Sequence, residues 1–161
     1  MATMKQGVTM PLVLLLTAAF ASAKVPVAGS EARVKELQRE RVKLEKTTDP
    51  VERAKIGIRI SDILLDNVGD YVREGDFAQM EVSLTEYAET IQTAHQGLVD
   101  SGRNASKKPG GFKDLEMALR QHVRKFEDFA RSLNLQRRIP VEQTKDLAVG
   151  IRDKLLKALF P

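Results

Sequence analysis

Residues 75–98 read GDFAQMEVSLTEYAETIQTAHQGL, and the placement of their apolar side chains decides the fold. Phe77, Met80, Leu84, Tyr87, Ile91, Ala94 and Leu98 recur at intervals of three and four without a miss. That rhythm lines them all along one side of a helix, a seam that must pack against neighbouring helices. Immediately before the seam, Gly75 is suited to closing one helix in the left-handed conformation, and Asp76 with Gln79 to opening the next. So short a turn makes the two helices an antiparallel hairpin.

The helix that enters this turn begins at Thr48-Asp49-Pro50, where Asp49 is a capping residue, proline suits the first turn and Glu52 follows three residues later. It spans 50–74. Ile56, Ile60, Ile63, Leu64, Val68 and Tyr71 lie on one side of it, while Ala54, Ile58, Leu65 and Val72 widen that face beyond a stripe. Such a helix is expected at the centre of the fold. Around its end, Tyr71, Gly75, Asp76 and Phe77 resemble the tyrosine and glycine-aspartate-aromatic turn of a tetratricopeptide repeat hairpin. The resemblance stops there: Met80 stands where the repeat has alanine, the helices are longer than the repeat's, and no second copy follows at a period of about 34 residues. What it implies is helix-turn-helix chemistry rather than a solenoid.

Working outward, residues 100–111 are rich in turn formers and cations and form the longest loop, with an Asn104-Ala105-Ser106 glycosylation sequon. A helix over 112–134 then repeats the strict spacing with Phe112, Leu115, Leu119, His122, Phe126, Phe129 and Leu133. Asn134 to Ile139 reads as a break. The last helix is expected over 140–160, from Pro140, carrying Val141, Thr144, Ala148, Ile151, Leu155 and Ala158. On the other side, 30–47 reads as a helix capped by Ser30, with a thin stripe of Val34, Leu37 and Leu44 among many charges. Nothing alternates with the period of two that a strand requires. The expected fold is therefore all-α, an antiparallel bundle of four long helices plus one charged N-terminal helix, in a single domain over 30–161 after a flexible lead at 24–29. Up-and-down topology is the natural arrangement for helices joined by short loops.

Residues 1–23 read as a cleavable export signal. Lys5 gives a weakly cationic start, Pro11 to Phe20 an apolar core, and Ala21 and Ala23 the small residues a signal peptidase reads, placing the cut before Lys24. The uncharged stretch from Val8 to Ala23 would make about 24 Å of helix, short of the roughly 30 Å hydrocarbon thickness. No transmembrane segment remains after cleavage, and the product is expected to be periplasmic or secreted. Cysteine is absent, which removes disulfides, thiolate nucleophiles, Cys-based zinc sites and c-type haem attachment. An exported domain of this composition depends on its core alone.

Charge is unevenly spread. Residues 49–102 hold four basic and eleven acidic side chains, whereas 103–138 hold ten basic and four acidic. Attraction between these halves within the fold is the reading adopted, with selection of antiparallel register as its expected effect. The competing use of Arg103, Lys107, Lys108 and Lys113 is contact with an anion or a partner. Nucleic acid is not expected as that partner, since no aromatic residues interleave the cations and the acidic hairpin repels phosphate.

Asp62, Asp66 and Asp70 are stacked at intervals of four on one helix face and need cationic partners, for which Lys55, Arg59, Arg73 or cations of the fourth helix are the nearest source. A metal is the weaker alternative. His95 and His122, the chain's only histidines, would stand at comparable heights on antiparallel third and fourth helices and could face each other there as a weak candidate cation site, and a buried His122 would need a hydrogen-bond partner. Neither has a glutamate three residues before it, as bundle di-metal sites require. No cofactor is expected. With no nucleophile elbow, phosphate loop or His-Glu-x-x-His motif, the chain is expected to be a non-catalytic interaction or structural protein of the cell envelope, with an unknown protein as partner. A bundle binding a small ligand or cation, and a peripheral binder of anionic envelope surfaces, are the alternatives.

Overall fold

The computed structural model describes residues 28–161, with side chains from Glu31 onward. The export signal, including Ala21, Ala23 and Lys24, lies outside the described residues. Five helices follow one another, α1 (Ala28–Lys46), α2 (Pro50–Glu74), α3 (Phe77–Asp100), α4 (Phe112–Ser132) and α5 (Leu135–Leu159), with no strand among the described residues. The chain is an all-α helical bundle.

Its caps follow from the sequence. The Asp49 carboxylate accepts from the Glu52 N–H at 2.9 Å to start α2, and Asp76 accepts from the Gln79 N–H at 3.3 Å to start α3. Between them Gly75 takes φ 72°, and the N–H groups of Gly75 and Asp76 satisfy the last carbonyls of α2 at Val72 and Tyr71. The start of α5 differs from expectation: it begins at Leu135, not Pro140, because Asn134 caps it by accepting from the Arg137 N–H. Pro140 sits in the second turn, where it removes one N–H from the ladder, and the buried Val141 and Thr144 that follow hold the helix in place. At the other end of the chain α1 starts at Ala28, so Ser30 lies inside the helix instead of capping it, and the last two residues of the expected lead are helical.

All the seam residues of α3 after Phe77 are buried, as are Phe112, Leu115, Leu119, His122 and Phe126 on α4. In the four-helix core α2 packs on α3 and α4, and α5 packs on the same two, while α3 and α4 meet only slightly across the diagonal and α2 does not meet α5. The hairpins α2–α3 and α4–α5 are antiparallel, as short connections demand. The neighbours α2 and α4 run parallel, because Asp62 meets His122 and, one turn further along both helices, Asp66 meets Lys125. The loop of residues 101–111 therefore crosses the end of the bundle from corner to opposite corner. Ala105 is buried beneath that crossing, and the Asn104 side chain folds the loop by accepting from Ser106 Oγ and the Lys107 N–H. Gly111 ends it at φ 83°, where a Cβ would come within 2.7 Å of Leu98 Cδ2. Only glycine fits there without strain.

Helix α1 lies outside this ring. It contributes Leu37 to the core and packs Leu44 against it, but Val34, expected in its apolar stripe, is 62 % exposed. Ion pairs join it to α2 and α3, Arg33 to Asp70, Arg41 to Glu86 and Arg59 to Glu40, and Arg53 of α2 donates to the Leu44 and Thr47 carbonyls at 2.8 Å. Burial would raise the Glu40 pKa, but hydrogen bonds from Lys43 and Arg59 outweigh it and hold the carboxyl below its ordinary range.

Candidate functional site

Two places gather polar chemistry, and they treat it in opposite ways. The first is the seam between α2, α3 and α4. Here the spacing of Asp62, Asp66 and Asp70 puts all three on the face of α2 that meets neighbouring helices, and each has found a cation or donor. Asp62 Oδ1 receives His122 Nε2 at 2.9 Å, Asp66 receives Lys125 Nζ at 3.0 Å, and Asp70 is shared by Arg33 and Arg73. Of the cations expected to serve the ladder, Arg73 and, from the fourth helix, Lys125 do so, while Lys55 turns to Glu52 and Arg59 to Glu40.

His122 is 1 % exposed, and its other ring nitrogen, Nδ1, lies 3.0 Å from the hydroxyl of the fully buried Tyr87. An ionised carboxylate can only accept, so Nε2 carries the proton toward Asp62 and Nδ1 accepts from Tyr87. Burial, reinforced by the Asp62 charge, pushes the Tyr87 pKa upward, which keeps the hydroxyl a donor. Both ring nitrogens of His122 and the Tyr87 hydroxyl are paired by that assignment. Tyr87 also stands edge-to-face with both His122 and Phe126, at centroid distances of 5.5 and 5.1 Å. The array resembles a relay of carboxylate, imidazole and hydroxyl, but the hydroxyl ends in the core where no substrate reaches it. Its two hydrogen bonds join α2, α3 and α4.

His95 does not face His122. It sits about two helical turns from Tyr87 on α3 and looks toward α5, in a shallow depression with Leu147, Ile151 and Lys154. Burial first, and the Lys154 charge second, lower its pKa. Among the described residues no group of three or more histidine, aspartate or glutamate side chains is placed to hold a metal ion.

The second place is the end of the bundle crossed by the loop. A cleft of about 450 Å³ opens there between the loop, the first turns of α4 and the end of α5. Met117, Leu156, Leu159 and Phe160 form its apolar wall, and Lys113 and Arg120 its cationic side. At its base Glu116, almost wholly buried on α4, is held by Arg120 at 2.8 Å and by Arg152 of α5 at 3.3 Å. Those pairs neutralise the carboxylate and leave one positive charge in excess. Of the four cations proposed from sequence as contact residues, Arg103, Lys107 and Lys108 lie on the loop and Lys113 in the cleft, all exposed. None of them forms an ion pair among the described residues. The sequence reading missed Glu116, Met117, Arg152 and Phe160, although Glu116 and Arg120 stand at a helical pairing interval that was available as a signal.

No helix among the described residues is long and apolar enough to cross a membrane. Comparison of the chain with protein-family models, with curated proteins and with solved structures gave no match in any of the three.

Proposed function

We propose that the chain is exported, that residues 1–23 are removed from it, and that the bundle then works as a non-catalytic protein-interaction module of the cell envelope. What supports the non-catalytic part is the state of the titratable groups. His122 is fully engaged with Tyr87 and Asp62, and the buried carboxylates Glu40 and Glu116 are each held by two cations. These buried groups are engaged in holding the helices together.

The observation that carries the interaction reading is the attachment of α1. One buried apolar residue, Leu37, the half-buried Leu44, the buried Glu40 carboxylate with Arg59, and the partly exposed pairs Arg33–Asp70 and Arg41–Glu86 hold it to α2 and α3. Pairs of that kind contribute only about 0–1 kcal/mol each. Helix α1 is thus the element that shifts at least cost, and Val34 and Val42 remain exposed along its outer side. Leu44, packed on the core, is not available to a partner.

Photo-crosslinking groups placed at Val34 and Val42, in the host that makes the protein, test this. The expected result is one crosslinked species of defined mass from both positions and none from the exposed Val82 of α3. A strict monomer without crosslinks would sink the interaction reading. Export is tested separately by the mass of the accumulated protein, which should begin at Lys24 and be found outside the cytoplasm; an intact Met1 start in the cytoplasmic fraction overturns it.

A further inference from the structure

We infer that the loop end of the bundle binds an anionic phospholipid at a bilayer surface, with the lipid phosphate against Lys113 and the loop lysines and an acyl chain in the cleft beside Met117, Leu156, Leu159 and Phe160. Three observations converge on this. The first is unspent charge. Four cations of the basic segment are paired, Arg120 with Glu116, Lys125 with Asp66, Arg131 with Asp128 and Arg137 with Glu81, whereas Arg103, Lys107, Lys108 and Lys113, contiguous on the loop and the first turn of α4, have no acidic partner among the described residues. They stand together at one end of the molecule, and the one acid of the cleft is already outweighed by two arginines.

The second is the exposure of large apolar side chains beside those cations. Phe160 is 76 % exposed and Met117 47 %, although both border a concave site. An aromatic ring left in water next to a cluster of lysines is the composition of a surface that enters the headgroup region, where rings and alkyl chains leave water while cations meet phosphate. The third is size. A volume of about 450 Å³ lies within the usual range for a ligand site and accepts part of an acyl chain, which a bare phosphate would leave unfilled. The cleft also has a fixed frame. The Phe160 N–H donates to the Leu156 carbonyl at 3.0 Å, and the Glu116–Arg152 contact ties α4 to α5 beneath it.

This site is remote from the outer side of α1 near Val34, which pairs with the opposite end of α2 through Arg33 and Asp70. Lipid binding at one end and partner binding along α1 are therefore independent of each other. Failure of either leaves the other standing.

The chain has no tryptophan, so Phe160→Trp installs a single emitter at the cleft itself. Its emission should move to the blue when vesicles of phosphatidylglycerol and phosphatidylcholine are added at low salt, and the shift should fade as salt is raised. A cation close to an anionic surface changes partitioning about fivefold. Adding Lys107→Glu, Lys108→Glu and Lys113→Glu to the same background should therefore weaken vesicle affinity by at least about a hundredfold. Met117→Ser, which leaves the charge untouched, should weaken it severalfold. Tryptophan placed at Val34 instead should show no shift. No blue shift at residue 160, equal binding to pure phosphatidylcholine, or a shift unaltered by the three charge reversals each overturns the inference. So does an equal shift with inorganic phosphate alone, which would make the cleft a site for free anions.

Discussion

The acidic ladder of α2 and the basic loop before α4 are both runs of like charge, and the fold treats them oppositely. Each aspartate of the ladder faces a neighbouring helix and has a partner there; the four cations of the loop end face water and have none. The segmental charge imbalance thus has two meanings at once. Where charges lie on packed faces they join helices, and where they lie on a crossing loop they remain available. The pairing also runs between parallel neighbours, α2 and α4, so attraction between the acidic and basic halves does not select antiparallel register as the sequence suggested.

The largest effect is expected from breaking the seam. His122→Ala removes a buried ring together with both of its hydrogen bonds, leaves the Tyr87 hydroxyl without an acceptor and opens a void. The loss should be about 3 kcal/mol. Tyr87→Phe keeps the ring packing and orphans only His122 Nδ1, for a loss of about 1–2 kcal/mol. Lys107→Ala and Lys108→Ala, by contrast, should change stability by no more than about 0.5 kcal/mol. Urea unfolding of the variants gives the comparison directly. Similar losses at both places would mean that the loop cations are structural after all.

Gly111→Ala tests the joint between the two regions. A methyl group there meets Leu98 and forces a non-glycine residue to φ 83°, so a loss of about 1–2 kcal/mol is expected, with the loop end loosened first. Hydrogen exchange should show faster opening at residues 101–115 than along α2. Uniform acceleration would indicate that the crossing is not a separate unit.

What could be read in advance follows from what each signal encodes. Periodicity reports which face of a helix is buried, and every seam residue of α3 after Phe77 obeyed it. It does not report which neighbour covers that face, so the diagonal placement of α3 and α4 was invisible. The caps at Asp49, Gly75 and Asp76 were legible because they are local hydrogen bonds. The start of α5 was not, because Pro140 is a strong local breaker that packing of Val141 and Thr144 overrides. His122 was marked as a buried ring needing a partner, while Tyr87, its partner, had the appearance of an ordinary seam residue. The cleft was illegible for a different reason: its wall draws Lys113 and Met117 from α4 and Leu156 and Phe160 from the far end of the chain.

A smaller effect, of opposite sign, comes from inside α2. The Ser61 hydroxyl is fully buried and has no hydrogen-bond partner among the described residues, one residue away from the aspartate that pairs with His122. Ser61→Ala removes that unmet demand and favours the helix, and should raise stability by up to about 1 kcal/mol. A loss on this substitution would mean that the hydroxyl is served by a bound water molecule.

The smallest effect concerns His95, the histidine that has no part in the seam. Burial, and then Lys154, disfavour its cation, so its pKa in the folded chain lies below the ordinary 6.5 while the unfolded chain keeps the ordinary value. The unfolded state then binds the proton first on acidification. Stability from neutral His95 is complete above about pH 6.5 and is lost as pH falls from there through the folded pKa. His95→Gln should flatten the stability profile just below pH 6.5. Lys154→Ala should flatten it only in part, because burial is the leading cause. If the lysine substitution removes the whole slope, an unpaired surface cation is acting on the folded core. The division between charges that hold the fold and charges left free would then need redrawing at the α3–α5 face.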